Sequence, residues 1–200
     1  MFYFLDNTKE RIRRWALRHA EGPHAKLWLS ALSFAEASFF PIPPDVLLIA
    51  ILLANKAREW LRYALITTIF SVLGGILGYG IGLFFFDLFG DKIIAFYGLE
   101  SQFVYLQGVF DKATFWTIFA AAFTPIPYKI FTITAGLFSA NFFVFTVASV
   151  LGRGIRFFVI GFLLKRYGEK IAGVLYKYFN IISLAVLVVI IIFVYIYTFV

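Results

Sequence analysis

The sequence predicts an all-α polytopic membrane protein: two inverted repeats, each a re-entrant broken helical hairpin plus a transmembrane helix, followed by a C-terminal transmembrane helix. Three observations carry that expectation. First, 62% of the 200 residues are hydrophobic and 14% charged, with a mean hydropathy of +0.89, the balance of an integral membrane chain rather than a soluble domain. Second, Pro41-Ile-Pro43-Pro44-Asp45 and Pro125-Ile-Pro127-Tyr-Lys129 recur 84 residues apart inside otherwise apolar runs. A proline lacks the N–H of an interior helical turn and collides with the turn before it, so each motif ends one helix and starts another. Irregular backbone of that kind survives at membrane depth only where protein buries it or water reaches it. Third, Ser71-Val-Leu-Gly74 returns as Ser149-Val-Leu-Gly152 after the second break, so the repeated unit is a broken segment plus one glycine-containing span.

Residues 1–26 carry Lys9, Arg11, Arg13, Arg14, Arg18 and Lys26 around Trp15 and Leu17, the pattern of a basic interfacial helix and not of a cleavable leader, since charge falls where an apolar core belongs. Residues 27–164 form the membrane domain. Leu27–Ala54 is the first broken segment, with Glu36 before its break and Asp45 after it, and the polar link 55–62 follows. Tyr63–Phe86 holds no charge over 24 residues, enough at about 1.5 Å per residue to cross a roughly 30 Å hydrocarbon core. Gly74, Gly78 and Gly82 recur every fourth residue along it and form a face for close helix packing. The run lacks the strand–turn–helix setting of a nucleotide-binding glycine motif. Residues 87–112 read as a mixed link, 113–140 as the second broken segment and 141–164 as the second span, which carries Arg153 and Arg156. Residues 165–200 comprise a basic link and a third span, Tyr178–Val200.

Charge bias orients the chain. With re-entrant breaks the N-terminal side of the membrane carries 13 flanking Lys/Arg against 2, and with fully crossing breaks 12 against 3. Both place the N-terminus in the cytoplasm, and re-entrance is preferred because it gives the units opposite orientations, the design that builds a midplane site in many transporters. The expected location is the bacterial cytoplasmic membrane, multi-pass.

Five ionisable residues fall in segments that otherwise exclude charge: Glu36, Asp45, Lys129, Arg153 and Arg156. Each costs a few kcal/mol against lipid and so belongs inside protein or a wet cavity. Asp45 and Lys129 hold equivalent places and are expected to be neighbours. Three cations against two carboxylates leave one positive charge for an anion, which assigns Lys129, Arg153 and Arg156 to a ligand headgroup and Glu36 and Asp45 to proton coupling or charge pairing. The bland alternative is that the charges only satisfy one another. No cysteine is present and His19 and His24 lie in the polar N-terminal segment, so neither a metal nor any other cofactor is expected.

Glu36, Phe-Pro-Ile-Pro-Pro-Asp45, Gly78-Tyr79, and Phe123-Thr-Pro125 followed by Lys129 and Ala135-Gly136 together resemble the DedA family of the VTT-domain class, in its small Phe-Pro-Ile-Pro-Pro-Asp subgroup, over roughly residues 27–164. The resemblance implies two facing re-entrant hairpins and lipid-carrier translocation, either recycling of undecaprenyl phosphate or lipid scrambling. It matches Glu36 and Asp45 to the family's functional acids. Where better-known members have an arginine before Phe-x-Pro this chain has Ala122, and Lys129 alone represents the later one, which leaves Arg153 or Arg156 to replace the charge. The expected function is therefore a non-enzymatic flippase or scramblase for a lipid with an anionic phosphate headgroup. Its partners are membrane lipids and protons, no nucleic acid, and a homo-oligomer is left open by the glycine face. An intramembrane lipid-phosphate hydrolase is disfavoured by the lack of histidine, cysteine or a serine–base pair in the spans. A non-catalytic scaffold is the third alternative.

Overall fold

A computed structural model describes residues 24–40, 42–124 and 126–175. The basic helix expected before residue 24, the span Tyr178–Val200, and Pro41 and Pro125 lie outside the described residues. Within them the chain is helical, with no strand. The α-helices α1 (Ala25–Ser38), α2 (Pro44–Ala54), α3 (Trp60–Phe85), α4 (Asp91–Tyr97), α5 (Glu100–Phe123), α6 (Tyr128–Leu137) and α7 (Phe142–Tyr167) follow in order, with a π-helical turn at Phe86–Gly90 between α3 and α4, and residues 169–175 are again helical. Two helical stretches, Trp60–Gly90 and Phe142–Tyr167, are long and apolar enough to cross a membrane.

Both breaks fall at the prolines. Pro43 caps α2 in an extended conformation with Pro44 in its first turn, the position where a missing N–H costs nothing. Pro127 caps α6 in the same way. The stretch read as a mixed link is instead largely helix, because Gly98, at φ 62° in the left-handed region, ends α4 and α5 then runs unbroken from Glu100 to the second break. No proline interrupts residues 100–123, so nothing in the backbone stops that helix earlier. Asn141 starts α7 by accepting from the Val144 N–H at 3.0 Å. Lys165 and Arg166 lie in the last turn of α7, where cations complement exposed carbonyls.

The long helix α3 packs chiefly against α1, α6 and α7, and α5 packs on α7. Glycine permits the closest of these approaches: a Cβ at Gly74 would collide with the Phe34 carbonyl of α1, and one at Gly82 with the Ile133 carbonyl of α6. Gly78 lies between them, against Thr132 of α6 and the Ala37 carbonyl. The opposite face of α3 presents Leu61, Leu65, Ile69, Leu73, Leu77 and Ile81, all exposed, as suits a helix turned to lipid. Two apolar clusters result. One joins Leu29, Leu47, Leu48, Ile51 and Leu52 to Phe157 and Ile160. The other joins Ala37, Tyr79, Ile118 and Ala122 to Tyr128, Phe145 and Ala148. Along α7 the two arginines fall between the stretches that serve these clusters.

Candidate functional site

Where α1 and α5 end, their last carbonyls lose a partner. The Phe39 carbonyl would bond the N–H of residue 43 and the Phe123 carbonyl that of residue 127, but both positions are proline. A carbonyl left unpaired away from water is costly, which bears on the part-buried Phe123 carbonyl more than on that of Phe39, a residue 66% exposed; a cation meets each. Arg156 donates from Nη1 to the Phe123 carbonyl at 2.9 Å, and the Lys129 ammonium reaches the Phe39 carbonyl at 3.5 Å.

Arg156 also grips Asp45 by a fork, Nε to Oδ1 at 3.1 Å and Nη2 to Oδ2 at 2.7 Å. This bidentate geometry is the strong form of a charge-assisted bond. Arg153, one turn earlier, holds Glu36 more loosely. Its Nη2 lies 3.1 Å from Oε2 and 3.5 Å from Oε1. The shorter approach is an ion pair by distance but is poorly aligned, so Oε2 makes no hydrogen bond, and the Arg153 Nε is likewise buried with no acceptor. The Arg153 guanidinium lies over the Tyr128 ring, 4.2 Å from its centroid. Tyr128 in turn donates its hydroxyl to Ser149 Oγ at 2.6 Å.

The arrangement corrects the expected neighbour of Asp45, which is bound by Arg156 and not by Lys129. Among the described residues, no carboxylate lies within ion-pair distance of the Lys129 ammonium. The physical reason is the fork: α7 offers a planar guanidinium that satisfies both carboxylate oxygens at once, which an ammonium cannot do. Both arginines, assigned from sequence to a ligand, are paired within the protein.

All five ionisable groups nevertheless line one cavity of about 210 Å³, open on one side, whose walls also include Phe40, Pro43, Thr124, Ile126 and Pro127. That volume is below the roughly 300–1,000 Å³ of pockets that enclose drug-sized ligands, a space for a small polar headgroup and not for acyl chains. The arginine side chains are 4–5% exposed and the carboxylates 13–17%, so the acids face the opening more than the arginines do. The cavity keeps an excess of one positive charge, three cations against two carboxylates. Gly74, Gly78 and Gly82 are not among its walls.

Sequence reasoning passed over Tyr128, Ser149 and the two phenylalanine carbonyls. The carbonyls were findable, as the residues four before the second proline of each motif. Ser149 was visible only as part of a repeat, and nothing in the sequence marked Tyr128 except its place beside Lys129.

A model of the VTT domain, the domain of the DedA family, matches residues 41–166. That stretch holds Asp45, Lys129 and both arginines, while Glu36 precedes it. An uncharacterized protein of Haemophilus influenzae is 39% identical over 164 residues, 82% of this chain and 84% of that relative. An uncharacterized protein of Histophilus somni is 37% identical over 164 residues, 82% of this chain and 85% of the relative. No solved structure matches. With its helical, apolar architecture and a domain match over more than half its length, the chain belongs to the VTT-domain (DedA) family of membrane proteins.

Proposed function

We propose that this protein is a lipid transporter of flippase or scramblase type that carries a lipid with an anionic phosphate headgroup across the membrane. The observation behind the reading is the cavity between the two proline breaks, which gathers every ionisable residue of the apolar segments and keeps one uncompensated positive charge. Its size suits a headgroup whose tails stay in lipid, and the exposed apolar faces on α3 and α7 suit such a route.

Within this reading the cations divide. Arg156 is committed to Asp45 and the Phe123 carbonyl, so it holds the two breaks together. Lys129, with one long contact to a carbonyl, and Arg153, with a poorly aligned partner and an unused Nε, are the groups free to exchange their contacts for phosphate oxygens. Glu36, released from Arg153 by the incoming anion, is the carboxylate that would take up a proton. In this reading the two units are an inverted repeat of re-entrant hairpins, the threading that gives them opposite orientations around a midplane site, and the charge bias of the flanks supports a cytoplasmic N-terminus.

The test is reconstitution in liposomes with fluorescent lipids of equal chain length. Faster transbilayer exchange of an anionic phospholipid than of a zwitterionic one is the expected result. Equal rates would count against a cationic headgroup site, and release of soluble phosphate would mark a hydrolase. Single cysteines at Asn55 and Asn141 report the threading, with Asn55 labelled from the cytoplasmic face and Asn141 from the other.

A further inference from the structure

Hydrogen bonding alone holds the Arg153 guanidinium weakly, since one terminal nitrogen makes a long 3.5 Å bond to Glu36 and Nε has no acceptor. The ring nearest its guanidinium is Tyr128, 4.2 Å away, with Phe157 farther off at 5.9 Å. The Tyr128 ring is itself held on three sides. It is 1% exposed, its hydroxyl is tied to Ser149 on α7, and its phenol end fits where Gly75 of α3 has no side chain, so a Cβ there would come 2.7 Å from the hydroxyl oxygen. Gly75 and Arg153 occupy matching places in the repeat, each four residues after the serine of Ser-Val-Leu-Gly. Tyr128 therefore stands between the two spans at equivalent positions, touching an absent side chain on one and a cation on the other. It is also the residue before Lys129, so one turn of α6 sets both the ring and the ammonium.

We infer that Tyr128 is a positioning residue for the anion site, the aromatic platform that holds Arg153 at the cavity wall without neutralising it. The chemistry of the platform is the point. A carboxylate that fixed Arg153 as firmly as Asp45 fixes Arg156 would cancel its charge, whereas a ring quadrupole attracts a cation and carries no net charge. Arg153 can then be held in place and still offer its charge to a phosphate. This inference rests on the headgroup reading of the cavity.

The experiment measures binding of short-chain phosphatidic acid to the full-length protein in detergent by native mass spectrometry, with phosphatidylcholine of the same chain length as control and melting temperatures taken on the same samples. Tyr128→Phe keeps the ring and should bind within about threefold of wild type. Tyr128→Leu should bind roughly tenfold more weakly, within the range of cation–π contacts between exposed and desolvated settings. In an Arg153→Gln background Tyr128→Leu should add no further loss, because the ring acts through the arginine. If Tyr128→Leu does not fold, Gly75→Ala takes its place: it should weaken binding by displacing the phenol, and Tyr128→Phe on top of it should restore binding by removing the hydroxyl it meets. Wild-type affinity in Tyr128→Leu beside weak binding in Arg153→Gln overturns the platform and leaves the headgroup site standing. Equal losses from Tyr128→Leu with and without Arg153 also overturn it. Wild-type affinity in Arg153→Gln overturns the headgroup site itself.

Discussion

Arg153 and Arg156 lie three residues apart on one face of α7, and each meets a carboxylate from the first broken segment, yet the two pairs are built differently. Arg156 spends Nε and both terminal nitrogens on Asp45 and the Phe123 carbonyl. Arg153 offers one nitrogen to Glu36, leaves Nε without an acceptor and rests on a ring. The difference teaches that charge in an apolar helix need not have one purpose. A forked and saturated pair ties α2 to α7 and closes the second break, while the loose pair is the one that, in the proposed function, keeps a cation available.

The sharpest way to break the comparison is to remove one member of the saturated pair. Arg156→Gln or Asp45→Asn leaves a buried charge without a partner, which typically costs about 3–5 kcal/mol, so the melting temperature in detergent should fall strongly for either. The Asp45→Asn/Arg156→Gln double variant should lose less than the two single losses added together. Unchanged melting in both single variants would remove the structural role assigned to this pair.

A smaller effect on folding but a large one on function is expected at Lys129. Lys129→Gln removes the cavity's excess positive charge and gives up only a long, exposed 3.5 Å contact to a carbonyl, where geometry and water leave little stability to lose. Exchange of an anionic lipid should fall about tenfold, the consequence of losing roughly 1.4 kcal/mol of a charge-assisted contact, with melting almost unchanged. Liposome exchange and melting on one preparation check both halves.

The smallest effect lies at the edge of the membrane domain. Glu59 bonds Lys26 at 3.1 Å and Arg62 at 3.2 Å, and these cations, Lys26 foremost, hold its carboxyl below its ordinary value. A carboxyl lowered in the folded state contributes stability above its unfolded value and loses it as the pH falls through the lowered one. Glu59 is exposed, so water and salt screen the contribution. Glu59→Gln should therefore lower melting slightly at neutral pH and not at all in acid below the carboxylate range. A melting difference that grew on acidification would reverse the sign and refute the pairing.

Much of this was legible in the chain because proline and glycine act through the backbone. The breaks fall where Pro43-Pro44 and Pro127 forbid a helical N–H, and Gly74 and Gly82 meet carbonyls that any side chain would strike. The five cavity charges were legible too, since their cost in apolar segments is independent of partner. Their pairing was not. The repeat makes Asp45 and Lys129 equivalent, but equivalence fixes a place along the chain and not the rotamer that fills it, and the arginine fork captured the carboxylate. The units also differ in detail: Ser149 is answered by Tyr128, while its sequence counterpart Ser71 is buried with no partner, and the first motif carries Pro44 where the second carries Tyr128. The helical start of α5 at Glu100 was hidden by scattered charges that mimic a link.

The most direct measurement compares Arg153→Gln with wild type in liposomes that carry a fluorescent anionic phospholipid, with initial exchange rates normalised to the folded protein in each sample. The account predicts that Arg153→Gln melts within a few degrees of wild type yet exchanges the lipid at least tenfold more slowly, and that Arg153→Lys recovers only part of the rate because an ammonium lacks the guanidinium's plane and fork. Exchange at the wild-type rate by well-folded Arg153→Gln would contradict it.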